Sequence, residues 1–241
     1  MSSTPVLLFA AMPRELRRLA RVLRLRPGSV AGLPAWSSAD VVAVVLGVGP
    51  TRAGTGSRRV LDVLTPRRVL ITGVAGGVDP SLRVGDLVRP ASVVDVRSGA
   101  VFTPGGSVTR AGLLATVEEI FLAPGGGGPT TTLSPGLPAG TTAVDMETAA
   151  IAAVCEARNV AWDVARAVSD VAGTLTPEIA ALLRPDGRVD GREAARLLVR
   201  DPGSMARLAR LGRDTSLAVR IATSAAVAEL ASEATRARGD G

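Results

Sequence analysis

The feature that most constrains this chain is a series of short apolar runs separated by helical stretches. The runs have the length and composition of strands buried on both faces, and they cover residues 6–11, 41–46, 69–72 and 161–168. Strands that alternate with helices build a mainly parallel sheet with helices on both sides. The sequence therefore predicts an α/β fold: a single three-layer domain with a mostly parallel mixed central sheet flanked by helices.

The segments between these runs predict the remaining elements. Helical spacing predicts helices over residues 15–25, 51–64, 147–158, 192–200 and 204–236. A glycine turn over residues 73–77 is predicted to end the third strand, and a β-branched run over residues 86–96 predicts another strand. Residues 124–140, with four consecutive glycines, predict an exposed, mobile loop. We expect one domain over residues 1–241, with a helical C-terminal extension from about residue 176.

The residue types that are missing narrow the chemistry. The chain has no histidine and a single cysteine, so Ser-His-Asp and Cys-His catalysis, Cys/His metal clusters and an internal disulfide are excluded. General acid and base roles then fall to carboxylates or to Cys155. We expect no cofactor and no metal.

Charge and hydropathy indicate which partners to expect. The formal net charge is +6, and all 28 basic residues are arginines. They are scattered through helical stretches without a long basic run or interleaved aromatics, so we expect no nucleic-acid partner; the alternative, a nucleic-acid binder, predicts a strongly salt-dependent affinity. Neither a signal peptide nor a membrane-spanning run is present, and we expect a cytoplasmic protein.

Polar residues follow the predicted strands at the edge where open α/β sheets bind ligands. Glu15 follows the first strand, Asp170 follows the last, and Glu147 lies at a strand-to-helix switch. Each alone has an ordinary structural explanation, as a first-turn helix residue or a helix cap. Arg166 lies within an apolar strand and requires a carboxylate partner.

Taken together, these residues lie in motifs that resemble a known family. The motifs are, in order, AAMPRE, GVGP, TGVAGGVDPSLRVGDLV, VDMETAAIAAVCEARNV and ARAVSDVAG. They resemble the nucleoside phosphorylase/nucleosidase superfamily, and most closely its methylthioadenosine/S-adenosylhomocysteine nucleosidases. The tail segment LLRPDGRVDGREAARLLVRDPGSMARLARLGRD resembles the hopanoid-associated phosphorylase branch, which acts on adenosylhopane, an adenine nucleoside with a lipid at its 5′ position.

The resemblance implies an activity and its catalytic residues. The chain would cleave the N-glycosidic bond of a purine nucleoside with an apolar 5′ substituent, adenosylhopane being the expected substrate, and release adenine. Asp170 would protonate N7 of the purine, and Glu15 would orient or deprotonate the attacking water. An Asp that donates a proton needs a pKa raised from about 4, whereas Glu15 is expected to be ionised. Ser169 is a candidate to support Asp170 where the nucleosidases use a serine at the position of Val74.

The same resemblance implies a binding site for the nucleoside. Glu147 would hold the 2′- and 3′-hydroxyls of the ribose with Met146 against the sugar, and Arg166 would brace the site or hold an anion. Asp145 is expected in the same site, and Ala75 and Gly76 would present backbone groups. Phe102 and Phe121 are the candidates for stacking on the base.

The sequence favours water over phosphate as the acceptor. Ile71 and Val74 stand where phosphorylases of the superfamily carry an arginine and a serine for phosphate. Phosphorolysis, with Arg14 and Arg52 as phosphate ligands, is the alternative. Two further alternatives are a methylthioadenosine/S-adenosylhomocysteine nucleosidase with a small 5′ pocket and a nucleoside-binding protein without activity.

The resemblance also implies a homodimer. Peripheral contact with an anionic membrane is a further hypothesis, because arginines alternate with leucines in the tail helix. The residues concerned are Arg207, Leu208, Arg210, Leu211 and Arg213.

Overall fold

The computed structural model describes residues 4–106, 110–118, 136–171 and 204–239. The strands are β1 (Val6–Ala10), β2 (Arg26–Val30), β3 (Leu33–Ser37), β4 (Val41–Val45), β5 (Arg68–Gly77), β6 (Leu87–Val88), β7 (Ser92–Asp95), β8 (Val101–Phe102), β9 (Leu113–Thr116), β10 (Thr141–Asp145) and β11 (Trp162–Val171). The helices are α1 (Pro13–Val22), α2 (Pro50–Leu61), α3 (Thr148–Glu156) and α4 (Ser204–Gly239).

The strands form one mixed sheet of 11 strands. Its main path runs β2-β3-β4-β1-β5-β10-β9-β7-β8, and β11 and β6 continue from β5 off this path. Strands β4, β1, β5 and β11 are paired in parallel, whereas β10 runs antiparallel to β5. The predicted α/β class, with a mixed central sheet flanked by helices, is confirmed.

Strand β1 shows why the sheet needs helices on both faces. Its side chains alternate between two apolar clusters: Leu7 and Phe9 pack with residues of α2 and α3, whereas Leu8 packs with residues of α1 and α4. All five residues of β1 are buried, as expected of a strand covered on both sides. Helices α1 and α4 therefore form one outer layer, and α2 and α3 form the other.

The glycine segment after the third predicted strand is not a turn. Strand β5 continues through Gly73 to Gly77 because β11 pairs with it along this whole length, and β10 pairs with Gly76 and Gly77. For the same reason β11 extends to Val171, so Ser169 and Asp170 lie inside the strand and not beyond it. The predicted single strand over residues 86–96 is divided into β6 and β7.

The β2–β3 hairpin was not predicted from the sequence. Most of β2 is exposed, so it lacks the apolar signal of a core strand. Its turn has positive φ at Ala31 (49°) and Gly32 (75°), the geometry of a two-residue hairpin turn. An Ala at the first of these positions hides the usual Asn-Gly or Asp-Gly signature.

Some predictions concern residues outside the described ranges. These are the helix over residues 192–200, the start of the extension at residue 176, Phe121, and most of the loop over residues 124–140. Within the described ranges, no helix combines the length and apolar character that a membrane span requires.

Candidate active site

Arg166 is the centre of a buried cluster of charges. Its side chain is 1% exposed, and its Nη2 atom lies 2.7 Å from Asp145 Oδ2 and 3.2 Å from Glu147 Oε2. Its Nη1 atom donates to the carbonyl oxygen of Val74 at 2.8 Å, and Nε donates to Thr148 Oγ1 at 3.1 Å. Burial alone would lower the pKa of Arg166, but the nearby carboxylates raise it above its usual value. The guanidinium therefore stays charged and fixed.

Asp145 holds this guanidinium in place. The Thr116 hydroxyl donates to its Oδ1 atom at 2.6 Å, and the backbone N–H of Thr148 donates to Oδ2 at 3.0 Å. The Thr148 hydroxyl also contacts Oδ2. Both oxygens of Asp145 are thus occupied within the protein, and its side chain is 1% exposed. Asp145 and the two threonines form the support beneath Arg166.

Glu147 lies at the N-terminal end of α3, where the chain leaves β10. Its Oε1 atom accepts a hydrogen bond from the backbone N–H of Gly49 at 3.0 Å, which ties it to the start of α2. Burial raises the pKa of Glu147 to about 7, with Arg166 acting against this shift and Asp145 adding to it. A carboxylate has further lone pairs beyond these two contacts, so Glu147 can still accept hydrogen bonds from hydroxyl groups.

Glu15 reaches from the first turn of α1 to the middle of β5. It is 3% exposed, and it accepts hydrogen bonds from the backbone N–H groups of Met12 at 2.7 Å and of Val74 at 3.1 Å. Burial raises the pKa of Glu15, whereas Arg166, these two N–H groups and Arg14 act against the shift. We expected an ionised Glu15, and burial acts against this expectation because it raises the pKa of the carboxyl.

Gly73 makes the approach of Glu15 possible. Its φ is +136°, and a Cβ atom at this position would lie 2.5 Å from Glu15 Oε1 and 3.4 Å from Arg166 Nη1. A side chain there would displace the carboxylate, so the glycine is required by space as well as by backbone conformation.

Asp170 lies further along the same sheet, opposite Gly76. The register of β11 shifts between Val168 and Asp170, so Ser169 is the extra residue of a bulge. The Ser169 hydroxyl donates to Asp170 Oδ1 at 2.5 Å, and the other oxygen, Oδ2, lies 3.5 Å from where a Cβ of Gly76 would be. Burial raises the pKa of Asp170, and the hydrogen bond from Ser169 lowers it by less.

Glu15 and Asp170 contact the same strand, β5, at different places. Glu15 contacts it at Gly73 and Val74, and Asp170 contacts it at Gly76, three residues after Gly73. Three residues of extended strand span about 10 Å. The structure therefore joins Glu15, Glu147 and Arg166 in one cluster and holds Asp170 apart from it along the same strand, with small residues between them.

The structure adds residues that the sequence analysis did not select. Gly49, Thr116 and Thr148 hold Glu147 and Asp145. Gly49 lies in the GVGP motif and Thr148 is the last residue of MET, whereas no motif pointed to Thr116. Met146 is half-buried next to Glu147, and the carbonyl of Ala75 lies 3.4 Å from Ser169 Oγ. Phe102 lines a cavity of about 390 Å³ beside α2 and α3.

The single cysteine, Cys155, is not suited to acid or base chemistry. Burial raises the pKa of the Cys155 thiol to about 12, so this cysteine is not an acid or base near neutral pH. In the part of the chain that the structure describes, no three His, Cys, Asp or Glu residues are grouped to hold a metal ion.

Comparisons with known proteins show the family of the chain. The model of the phosphorylase superfamily matches residues 5–131. The chain is 33% identical over 165 residues to the 5′-methylthioadenosine/S-adenosylhomocysteine nucleosidase of Anoxybacillus flavithermus, covering 56% of this chain and 69% of the relative. It is 29% identical over 168 residues to the nucleosidase of the same name from Tolumonas auensis, covering 57% and 71%.

A solved structure shows the same fold. The 5′-methylthioadenosine/S-adenosylhomocysteine nucleosidase of Colwellia psychrerythraea, in complex with adenine, superposes with a TM-score of 0.60 at 23% identity. The match covers 87% of this chain and 96% of that one.

Proposed function

The chain belongs to the phosphorylase superfamily, and we propose that it hydrolyses the N-glycosidic bond of an adenine nucleoside. The proposal rests on two carboxyl groups that contact the same strand at separate places. Asp170 lies beside Gly76 of β5, and Glu15 lies beside Gly73. The relatives named above are nucleosidases for adenine nucleosides, which supports the same substrate class here.

Departure of the base is the step assigned to Asp170. Breaking the bond between C1′ and N9 leaves negative charge on the adenine, and a proton delivered to N7 neutralises it. The raised pKa of Asp170 favours the protonated acid that this step needs. Since Ser169 occupies Oδ1, the oxygen left to carry the proton is Oδ2, beside Gly76.

Positive charge on the sugar is the counterpart of this step. Glu147 is placed to accept hydrogen bonds from the ribose hydroxyls, and its negative charge would stabilise an oxocarbenium-like transition state. Its Oε2 atom remains 3.2 Å from Arg166, so the carboxylate is held by a fixed cation while it binds the sugar.

Water completes the reaction with the help of Glu15. The water oxygen forms a bond to C1′ as the bond to N9 breaks, and Glu15 accepts the proton that the water loses. The products are adenine and a free ribose that retains its 5′ substituent. The apolar side chains of Ile71 and Val74 offer phosphate no charge-assisted hydrogen bond, which favours water.

The finer assignments rest on the sequence resemblance. We propose a 5′ substituent that is apolar, with adenosylhopane as the substrate in hopanoid biosynthesis, on the basis of the tail segment that resembles the hopanoid-associated branch. A methylthioadenosine/S-adenosylhomocysteine nucleosidase is the alternative. A homodimer, a cytoplasmic location and peripheral membrane contact through Arg207, Arg210 and Arg213 complete this proposal.

Product analysis tests the proposed function. The protein is incubated with adenosine, methylthioadenosine and an adenosylhopane mimic, with and without phosphate, and adenine and the sugar product are quantified. We expect adenine and free ribose product without phosphate, with the fastest release from the mimic. A sugar 1-phosphate formed only with phosphate would establish phosphorolysis, and no adenine from any substrate would contradict the proposal.

A further inference from the structure

A small cavity between α1 and α4 is lined by three arginines. The cavity has a volume of about 270 Å³ and is bounded by Arg14 and Arg18 of α1 and by Arg220 of α4. Arg14 and Arg18 are four residues apart and therefore lie on one side of α1, facing α4. Among the residues that the structure describes, no carboxylate lines this cavity.

The α4 side of the cavity supplies its uncharged wall. Thr215, Ser216 and Val219 line it, and Thr215 and Val219 are buried. The hydroxyls of Thr215 and Ser216 donate to carbonyl oxygens one turn earlier in α4, at 2.8 and 2.7 Å. The guanidinium groups are therefore the free donors of the cavity.

Several other arginines that the structure describes are paired with carboxylates. Arg68 bonds Glu233 at 2.8 Å, Arg110 bonds Asp163 at 2.7 Å, and Arg166 lies between two acidic residues. The guanidinium groups of Arg14, Arg18 and Arg220, by contrast, form no hydrogen bond or ion pair with any residue that the structure describes. Three like charges around one cavity repel each other, and a bound anion relieves that repulsion.

We propose that the cavity between α1 and α4 is a binding site for a phosphate group, separate from the nucleoside site. Guanidinium groups bind phosphate oxygens through paired, charge-assisted hydrogen bonds. A phosphate group offers enough oxygens for guanidiniums that approach from two helices, whereas a carboxylate offers two. The phosphate can be that of a free anion or of a lipid headgroup, since Arg18 and Arg220 are exposed at the surface.

The proposal does not depend on the reaction at the neighbouring site. Arg14 directly precedes Glu15, and both lie in the first turn of α1. Their side chains point to different parts of the protein, because Glu15 contacts β5 whereas Arg14 lines the cavity. Phosphate binding can therefore be measured as binding, whether or not the protein cleaves nucleosides.

Calorimetric titration with inorganic phosphate at constant ionic strength tests the site. We compare the wild-type chain with Arg18→Gln and Arg220→Gln, and with Arg17→Gln as the matched control. Arg17 is an exposed arginine on the same helix that does not line the cavity. Loss of one charge-assisted contact is expected to weaken phosphate binding about tenfold in Arg18→Gln and Arg220→Gln, and to leave Arg17→Gln within about twofold of wild type.

Vesicle co-sedimentation distinguishes the two sources of phosphate. Vesicles of phosphatidylcholine are compared with vesicles that also contain phosphatidic acid. Binding to the acidic vesicles that is lost in Arg18→Gln but kept in Arg17→Gln identifies a lipid headgroup, and dependence on Arg18 for inorganic phosphate alone identifies a free anion. Equal effects of Arg17→Gln and Arg18→Gln in both experiments, or no saturable binding in either, would overturn the proposal.

Discussion

Arg166 Nη2 lies 2.7 Å from Asp145 Oδ2, and both side chains are 1% exposed. This ion pair fixes the end of the cluster that also holds Glu147. Because a buried guanidinium is tolerated only with its charge balanced, the pair is a condition for the site to form.

Replacing Asp145 tests this condition. Asp145→Asn keeps the shape of the side chain but leaves Arg166 with less compensating charge, and breaking a buried pair costs about 3–5 kcal/mol. We expect the free energy of unfolding in urea to fall by about 3 kcal/mol. Asp62 forms a surface ion pair with Arg158, and its side chain is 55% exposed. Asp62→Asn removes this pair and should change the free energy of unfolding by less than about 1 kcal/mol. Equal effects of the two substitutions would show that the buried pair is not special.

Gly73 is predicted to be essential for the position of Glu15. In Gly73→Ala the new methyl group would meet Glu15 Oε1 at 2.5 Å, at a φ of +136°. Since a displacement of about 1 Å can cost about a hundredfold in rate, we expect kcat/KM for adenine release to fall by about that factor. Gly28→Ala is the matched control, because nothing lies within 4 Å of its Cβ position. A rate near wild type in Gly73→Ala would mean that Glu15 does not need its present position.

Ser169 is predicted to set the upper pH limit of the reaction. Its hydroxyl stabilises the ionised form of Asp170 and so lowers the pKa of that carboxyl. Removing it in Ser169→Ala raises the pKa further. Because the acid works only when protonated, the alkaline limb of the kcat/KM profile should move to higher pH. A limb that moves to lower pH would contradict the assignment of Asp170 as the acid.

Glu147 is predicted to make stability depend on pH. Its pKa rises from 4.5 to about 7 in the folded protein, so the folded state keeps a proton that the unfolded state loses. The contribution is complete below pH 4.5 and is lost as pH rises through about 7. The wild-type free energy of unfolding should fall relative to that of Glu147→Gln over this range, at up to about 1.4 kcal/mol per pH unit. Parallel pH profiles of the two proteins would contradict the raised pKa of Glu147.

The sequence was sufficient to predict the sheet because strands buried on both faces leave a continuous apolar signal. Strand β1 and the helices beside it are within a few residues of their predicted bounds. The extent of β5 could not be predicted, because Gly73 to Gly77 are extended only through pairing with β10 and β11. Strand β2 could not be predicted either, because it faces solvent and lacks the apolar pattern of a buried strand.

The candidate site also has a part that the sequence predicts and a part that it does not. Glu15, Glu147 and Asp170 lie in motifs that the sequence displays, and the superfamily that these motifs resemble is confirmed. The hopanoid-associated branch stays a prediction. The supports of the site were not predictable, because Thr116 and Gly49 reach Asp145 and Glu147 only after distant segments fold together.

The most direct test of the account is the rate of adenine release by Asp170→Asn under single-turnover conditions. An asparagine keeps the contact with Ser169 but has no acidic proton to give to the base. We predict a rate at least about a hundredfold below wild type, with an unchanged melting temperature, whereas Asp62→Asn retains the wild-type rate. Adenine release by Asp170→Asn at close to the wild-type rate would contradict the central claim that Asp170 protonates the leaving base.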